Sequence, residues 1–238
     1  MPSLQDLEKP QSELSSELYS SDTVLLGKYF RYNRSPVKYN ELSKELVTTL
    51  LVTEDIRFYE HSGIDFKGLV RATYGVFKNI ITLGNSGLEG GGSTITQQLA
   101  KNLFKIRNER KGKLSNVPFL GLIISKVKEW VVALKLEEFY TKNEILSMYL
   151  NTAEYGSNSY GIKVAVKTYF NKLPSEINYN EASIIVGLLN KPTKYNPFYN
   201  PENSLNKKSE IIYNLYKYNK ITQIEFDSLN ELGLNLTY

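Results

Sequence analysis

Two glutamates stand where a folded chain would ordinarily place apolar side chains. The first is Glu54, opening the stretch EDIRFYEHSG at 54–63. Val47, Leu50, Leu51 and Phe58 recur around it at helical spacing, and Glu54 falls on their face. Phe58 and His61, four and seven residues on, share that face. The second is Glu129, in a predicted helix from Lys126 to Tyr140. There Val127, Trp130, Val131, Val132, Ala133, Leu134 and Leu136 cover most of the circumference, the pattern of a buried helix. A carboxylate on a core-facing stripe costs stability unless it is paired, hydrogen-bonded or facing a cleft. Conflicts of this kind collect at functional sites. Two such carboxylates are the usual equipment for acid–base chemistry at a glycosidic centre. Plainer readings stand beside this one: Glu54 as a helix N-cap or the partner of Arg57, and Glu129 merely neutralised by Lys126 and Lys128.

A third group is built for an anion. The loop GNSGLEGGG at 84–92 runs into Ser93, the predicted N-cap of a helix reaching about Phe104. Ile95, Leu99 and Leu103 form its core face, and Thr94, Gln97, Gln98 and Lys101 form another. Free N–H groups and the helix dipole favour phosphate at such a head. It is not a Walker loop, because the Gly-Lys-Ser/Thr ending is missing. A flexible linker before an ordinary amphipathic helix fits the same residues.

The elements that must position these groups are mostly helices. Residues 1–22 read as a polar lead-in, 23–31 as one strand with a glycine interruption, and Val37 to Tyr39 as a short extended piece. Asn40 or Ser43 caps a helix ending near Glu54, and a second helical stretch runs from Phe66 to Ile81. KIRNERKGK at 105–113 is basic and VPFLGLII at 117–124 is apolar. Together they suit a membrane-dipping segment, or equally a solvated charge run before a buried strand. Thr141 caps a helix to about Tyr155, followed by a turn at Gly156–Gly161 and a helix from Ile162 to Phe170. Further helices are expected at Glu181–Asn190, stopped by Lys191-Pro192, and from about Ser204 to Tyr218. Thr222 to Glu225 is a capping box opening a short last helix.

Composition excludes several classes. The chain has 238 residues, no cysteine and one histidine, so thiolate chemistry, disulfides and a zinc cage have no material. A net charge of +4 is too weak to argue for nucleic acid. No run approaches the roughly 20 apolar residues of a membrane span, and the polar N-terminus is neither a signal nor a transit peptide.

With these pieces in order, the chain resembles the peptidoglycan glycosyltransferases of family 51. These are the polymerase domains of bifunctional penicillin-binding proteins and the monofunctional transglycosylases. Five motifs follow family order: EDIRFYEHSG at 54–63, GGSTITQQLAKN at 91–102, Lys126 with Glu129, YLNTAEYGSNSYGIKVAVKTYF at 149–170, and EASIIVGLLNKPTKYNP at 181–197. The resemblance implies a mainly α fold, a lysozyme-like large helical lobe with a small membrane-facing jaw lobe at about 105–124. The expected divisions are 1–40 as lead-in with short strands, 41–220 as the glycosyltransferase domain, and 221–238 as a short helix and the start of a linker.

The same resemblance implies polymerisation of lipid II with inversion and release of undecaprenyl pyrophosphate. By it, Glu54 is the general base and Asp55 supports it, while Phe58 and His61 hold the motif's shape. Ser93, Thr94, Gln98, Lys101 and Lys126 line the donor pyrophosphate. Glu129 assists its departure, directly or through a divalent cation such as magnesium or manganese; no cofactor is strictly required. The implied partners are lipid II, the growing lipid-linked glycan strand, the membrane surface through 105–124 and a transpeptidase domain in a full-length chain, with no nucleic acid. The implied location is the outer, periplasmic face of the bacterial cytoplasmic membrane. The family's transmembrane helix and transpeptidase domain do not occur in these residues, so an excised domain is expected. The third motif departs from the family, with Ser125 where Arg is usual. Ser125/Lys128 and Ser204/Lys207 fit the Ser-x-x-Lys of penicillin-type acylation, but Lys-Thr-Gly is missing and transpeptidase activity is rejected. The alternatives carried are a lysozyme-like glycan-cleaving enzyme and a non-catalytic cell-wall scaffold.

Overall fold

The computed structural model describes residues 16–22, 25–29, 36–71, 92–104 and 118–237. Among these, helices dominate. Strand β1 (Ser16–Tyr19) pairs antiparallel with β2 (Leu25–Tyr29), with a register irregularity at Leu18/Tyr19. The polar lead-in therefore contributes a strand, and the single strand expected at 23–31 is the second half of a hairpin. Val37 joins no sheet: its N–H donates to Asn151 Oδ1 at 2.9 Å and its carbonyl accepts from Asn151 Nδ2 at 2.8 Å. An asparagine side chain thus stands in for a neighbouring strand.

The helices are α1 (Lys44–Glu54), α2 (Ile95–Phe104), α3 (Pro118–Phe139), α4 (Lys142–Thr152), α5 (Ile162–Phe170), α6 (Tyr179–Asn190), α7 (Pro201–Lys217) and α8 (Gln223–Glu231). A further helical start lies at 66–71; the rest of the stretch expected to Ile81, the glycine-rich loop 84–91 and the basic run 105–113 lie outside the described residues.

The chain divides into two compact units, one holding residues 54–149 and the other 11–53 with 150–238. In the first, α2 packs on α3. Its core includes Phe58, Ile95, Leu99, Val132, Leu136, Ile145 and Leu146, all buried. Each such side chain contributes roughly 1.5–3 kcal/mol of burial. Gly63 lets this unit close. Its φ is +84°, and an added Cβ would sit 3.0 Å from the Ala133 carbonyl carbon and oxygen. Only a residue without Cβ fits both that conformation and that approach to α3.

In the second unit, α6 packs on α7, with α8 against α7 and α5 against α6. Ser43, not Asn40, caps α1, its Oγ accepting the Leu46 N–H at 3.1 Å. The capping box at α8 forms, with Thr222 Oγ1 accepting from the Glu225 N–H and the Thr222 N–H donating to Glu225 Oε2 at 2.7 Å. Helix α7 starts earlier than expected because Pro201 suits the first turn, where no N–H is needed.

The largest difference concerns α3. It begins at Pro118 rather than near Lys126, so the apolar part of the expected jaw, 118–124, is the start of the helix that carries Glu129. Nor is α3 buried all round. Val132, Ala133 and Leu136 are buried, while Ile123, Val127 and Leu134 are exposed along one stripe. Periodicity that covers every face cannot say which face has a neighbour. No helix among the described residues is long and apolar enough to cross a membrane.

Candidate active site

Glu54 is the last residue of α1. It is therefore not an N-cap, and the C-terminal end of a helix is the end whose dipole disfavours a negative charge. Arg57 is committed elsewhere, with two hydrogen bonds to Asp65 Oδ2 at 3.2 and 2.6 Å. Glu54 Oε2 accepts from Gln98 Nε2 at 2.7 Å. Gln98 Oε1 in turn accepts from the Tyr149 hydroxyl at 2.9 Å.

The neighbouring Asp55 is buried and does different work. Its Oδ2 accepts the Ile95 N–H at 3.1 Å, at the head of α2. Its Oδ1 lies 3.0 Å from His61 Nε2. Because a carboxylate only accepts, the imidazole N–H facing it is on Nε2. The other ring nitrogen, Nδ1, is buried and has no hydrogen-bond partner among the described residues. Phe58 is fully buried, edge-on to the His61 ring at 6.2 Å between centroids. The Lys142 ammonium lies 4.3 Å over the Phe58 ring, donates to the His61 carbonyl at 2.6 Å and pairs with Glu137 at 2.8 Å. Thr96 Oγ1 donates to that same Glu137 at 2.5 Å. The turn after Glu54 is thus braced from α2, α3 and α4.

Thr94, not Ser93, caps α2: its Oγ1 accepts the Gln97 N–H at 3.2 Å and donates to the Gly63 carbonyl at 2.7 Å. Gln97 Nε2 reaches the same carbonyl at 3.3 Å. Thr94 and Gln97 are buried by these contacts, and Lys101, three residues beyond Gln98, is exposed. The helix head expected to cradle a foreign anion has its Ile95 and Gln97 amides occupied by Asp55 and Thr94.

Ser93 belongs to another group. Lys126 Nζ donates to Ser93 Oγ at 2.8 Å and to Glu129 Oε2 at 2.6 Å. Glu129 is only 1% exposed, while the Lys126 side chain is 36% exposed. A buried carboxylate therefore anchors the ammonium of a half-buried side chain, a fixed cation of the kind that suits an anionic group. Ser125 cannot replace an arginine here, because its hydroxyl turns back to the Gly121 carbonyl at 2.8 Å. The donor set does not suit a divalent cation, which wants several oxygen ligands. Among the described residues no three acidic or imidazole side chains converge, and one oxygen of Glu129 is held by an ammonium.

Beside this site, Asp65 is held below the usual carboxylate range. Burial opposes its charge, but the Gly68 N–H, the Arg57 hydrogen bond and charge, and the His61 charge outweigh burial.

Bonds join several of the expected residues: Glu54 with Gln98; Asp55 with His61; Ser93 with Lys126 and Glu129. Sequence reasoning missed Tyr149, Glu137 and Lys142. Tyr149 alone left a signal, as the first residue of the fourth motif. The other two are ordinary helix charges until the fold pairs them.

A family profile described as Transglycosylase matches residues 22–216. The chain belongs to the transglycosylase family, the peptidoglycan glycosyltransferases that the motifs implied. Among relatives of this transglycosylase, penicillin-binding protein 1A of Vibrio cholerae is 33% identical over 228 residues, covering 96% of this chain and 26% of that protein. Penicillin-binding protein 1A of Escherichia coli is 32% identical over 238 residues, 100% of this chain and 26% of the relative. Penicillin-binding protein 1F of Bacillus subtilis is 33% identical over 198 residues, 83% and 25% respectively. The transglycosylase chain thus spans about a quarter of the length of these curated relatives. A crystal structure of penicillin-binding protein 1A from Haemophilus influenzae aligns with 96% of this chain and 22% of its own, at a TM-score of 0.49 and 19% identity.

Proposed function

We propose that this transglycosylase polymerises lipid II, with Glu54 as the general base. The supporting observation is the setting of its carboxylate: at a helix end that disfavours charge, with Oε2 taken by Gln98. A base of this kind takes the proton of the acceptor sugar's 4-hydroxyl as that oxygen attacks the donor's anomeric carbon. The configuration inverts and undecaprenyl pyrophosphate leaves. A positioned base supplies roughly 10²–10⁴-fold. Negative charge builds on the pyrophosphate as the bond breaks, and fixed cations lower the barrier there. The Ser93–Lys126–Glu129 group offers such a cation, with Glu129 fixing the ammonium, and Lys101 offers a second from α2.

On this reading the chain acts at the outer face of the bacterial cytoplasmic membrane, with the segment 105–124 toward the lipid. In the described part of that segment Ile123 and Ile124 are exposed, consistent with an apolar surroundings. The reading also expects a transpeptidase domain in a longer chain, in keeping with the quarter of their length that the relatives share with this one. The test is incubation with labelled lipid II and separation of the products. Polymer from the parent chain and none from a folded Glu54→Gln variant is expected. Activity retained by Glu54→Gln sinks the base assignment. Shortening of preformed glycan would make the chain a hydrolase, and no reaction with either substrate would make it a scaffold.

A further inference from the structure

We infer that Tyr149 is a positioning residue for the reaction, acting on Glu54 through Gln98; this rests on the base assignment just proposed. Three separate elements supply the relay: the end of α1 brings Glu54, α2 brings Gln98 and α4 brings Tyr149. The direction of the hydrogen bonds is fixed by chemistry. A carboxylate accepts only, so the end of the Gln98 amide facing Glu54 is the NH₂ group. Its other end is then the carbonyl oxygen, and toward that oxygen the Tyr149 hydroxyl must donate. A side-chain amide held only by the carboxylate could swing about its terminal torsion, which is broad and shallow. Held also by a hydroxyl on a ring that is 2% exposed, it has one orientation.

Two consequences follow for the carboxylate. Oε2 is pinned by Gln98 Nε2 at 2.7 Å, which fixes the orientation of the carboxylate that takes the proton on the proposed reading. The two bonds also polarise one another, so the phenol strengthens the amide's grip. Neither Tyr149 nor its ring needs to touch substrate for this. Tyr149 acts on the chemical step, and its loss lowers kcat rather than raising KM.

The experiment uses the full chain and labelled lipid II, with Tyr149→Phe, Gln98→Ala and both together. Tyr149→Phe keeps the ring and removes only the hydroxyl. It is expected to lower kcat about tenfold, the usual scale of one lost hydrogen bond, with KM within about twofold. In the Gln98→Ala background the same change is expected to add almost nothing, because the relay is already cut. If the Phe variant does not fold, Gln98→Asn carries the test: one methylene shorter, it cannot span both partners, and the same kcat loss is expected. Unchanged kcat, a loss confined to KM, or an equal loss in both backgrounds overturns the inference. An active Glu54→Gln variant instead overturns the base assignment beneath it, so the two failures are told apart.

Discussion

The carboxylate of Asp55 closes the head of the helix that carries Gln98: its Oδ2 accepts the N–H of Ile95 at 3.1 Å. The residue next to the proposed base therefore adds a second acceptor, beside Thr94, at the head of α2, and through Oδ1 it also holds His61. The glycine-led helix reads in the sequence as a seat for a substrate phosphate. The protein fills part of that seat with its own anion. On the proposed reading the donor's phosphates are left to side-chain cations, Lys126 and Lys101, more than to the helix head.

Replacing Asp55 by Ala is expected to lower stability by about 2 kcal/mol, the scale of a lost cap together with a charged hydrogen bond. Asp55→Asn keeps an acceptor for the Ile95 N–H and is expected to cost about half as much. Urea denaturation gives both values, and hydrogen exchange at the Ile95 amide gives the location. Unchanged exchange there would show that α2 does not depend on this carboxylate.

Gly63→Ala tests how closely the turn after Glu54 must approach α3. The new Cβ meets the Ala133 carbonyl carbon and oxygen at 3.0 Å, both backbone atoms that cannot rotate away, and φ is +84° besides. A loss of about 2–3 kcal/mol is expected, from the left-handed conformation and the overpacking together. Thermal melting checks it. A melting temperature equal to the parent's would mean that the turn shifts freely, and the bracing of Glu54's neighbours by Thr94 and Gln97 would lose its point.

What could be seen in advance divides along a physical line. Local signals were legible: the capping box at Thr222, the helix stop at Asn190, and Glu54 as an acid on the helix that carries Val47 and Leu50. So were the long motifs, because their residue types are written in order. The continuation of the Glu54 helical face to Phe58 and His61 was not met, because α1 ends at Glu54 and Phe58 opens a separate 3-10 turn. Pairings across the chain were not legible. Gln98 and Glu54 are 44 residues apart, and Tyr149 and Gln98 are 51 apart. Periodicity says which face a side chain is on, not which partner meets that face. The cap of α2 was misplaced by one residue because Ser93 and Thr94 are both good caps; only the fold shows Lys126 claiming Ser93. The length of α3 was hidden by Pro118 and Gly121, which read as breaks. Proline is tolerated in a first helical turn, and one glycine costs only about 1 kcal/mol.

Asp65 gives the region an acid-side dependence. Its folded pKa lies below the ordinary value: burial works against the charge, and the Gly68 N–H and Arg57 more than offset it. A depressed carboxylate contributes stability that is full above the unfolded pKa, near 4, and is lost as pH falls through the lower folded value. Between pH 6 and about pH 4 the contribution should hold, and below about pH 4 it should fade. Asp65→Asn is expected to be less stable than the parent at pH 6, with the gap closing toward pH 3. Denaturation midpoints across that range check it, and a gap that stays constant would assign the bond a purely neutral role.

Lys126 and Glu129 can be separated by stability as well as by activity. Glu129 is buried and Lys126 holds one of its oxygens at 2.6 Å. Removing one partner of a fully buried pair costs about 3–5 kcal/mol. Here the lysine side chain is 36% exposed, so solvent screens part of the loss and about 1–2 kcal/mol is expected for Lys126→Met. Adding Glu129→Gln removes the charge that was left without that ammonium, so the double variant should recover most of the stability. It should not recover polymerisation, because the cation proposed for the leaving pyrophosphate is still missing. Urea midpoints and product gels on the two variants therefore move apart. Stability and activity returning together would instead mean that Lys126 serves only to neutralise Glu129, the plain reading of three neighbouring charges in the sequence.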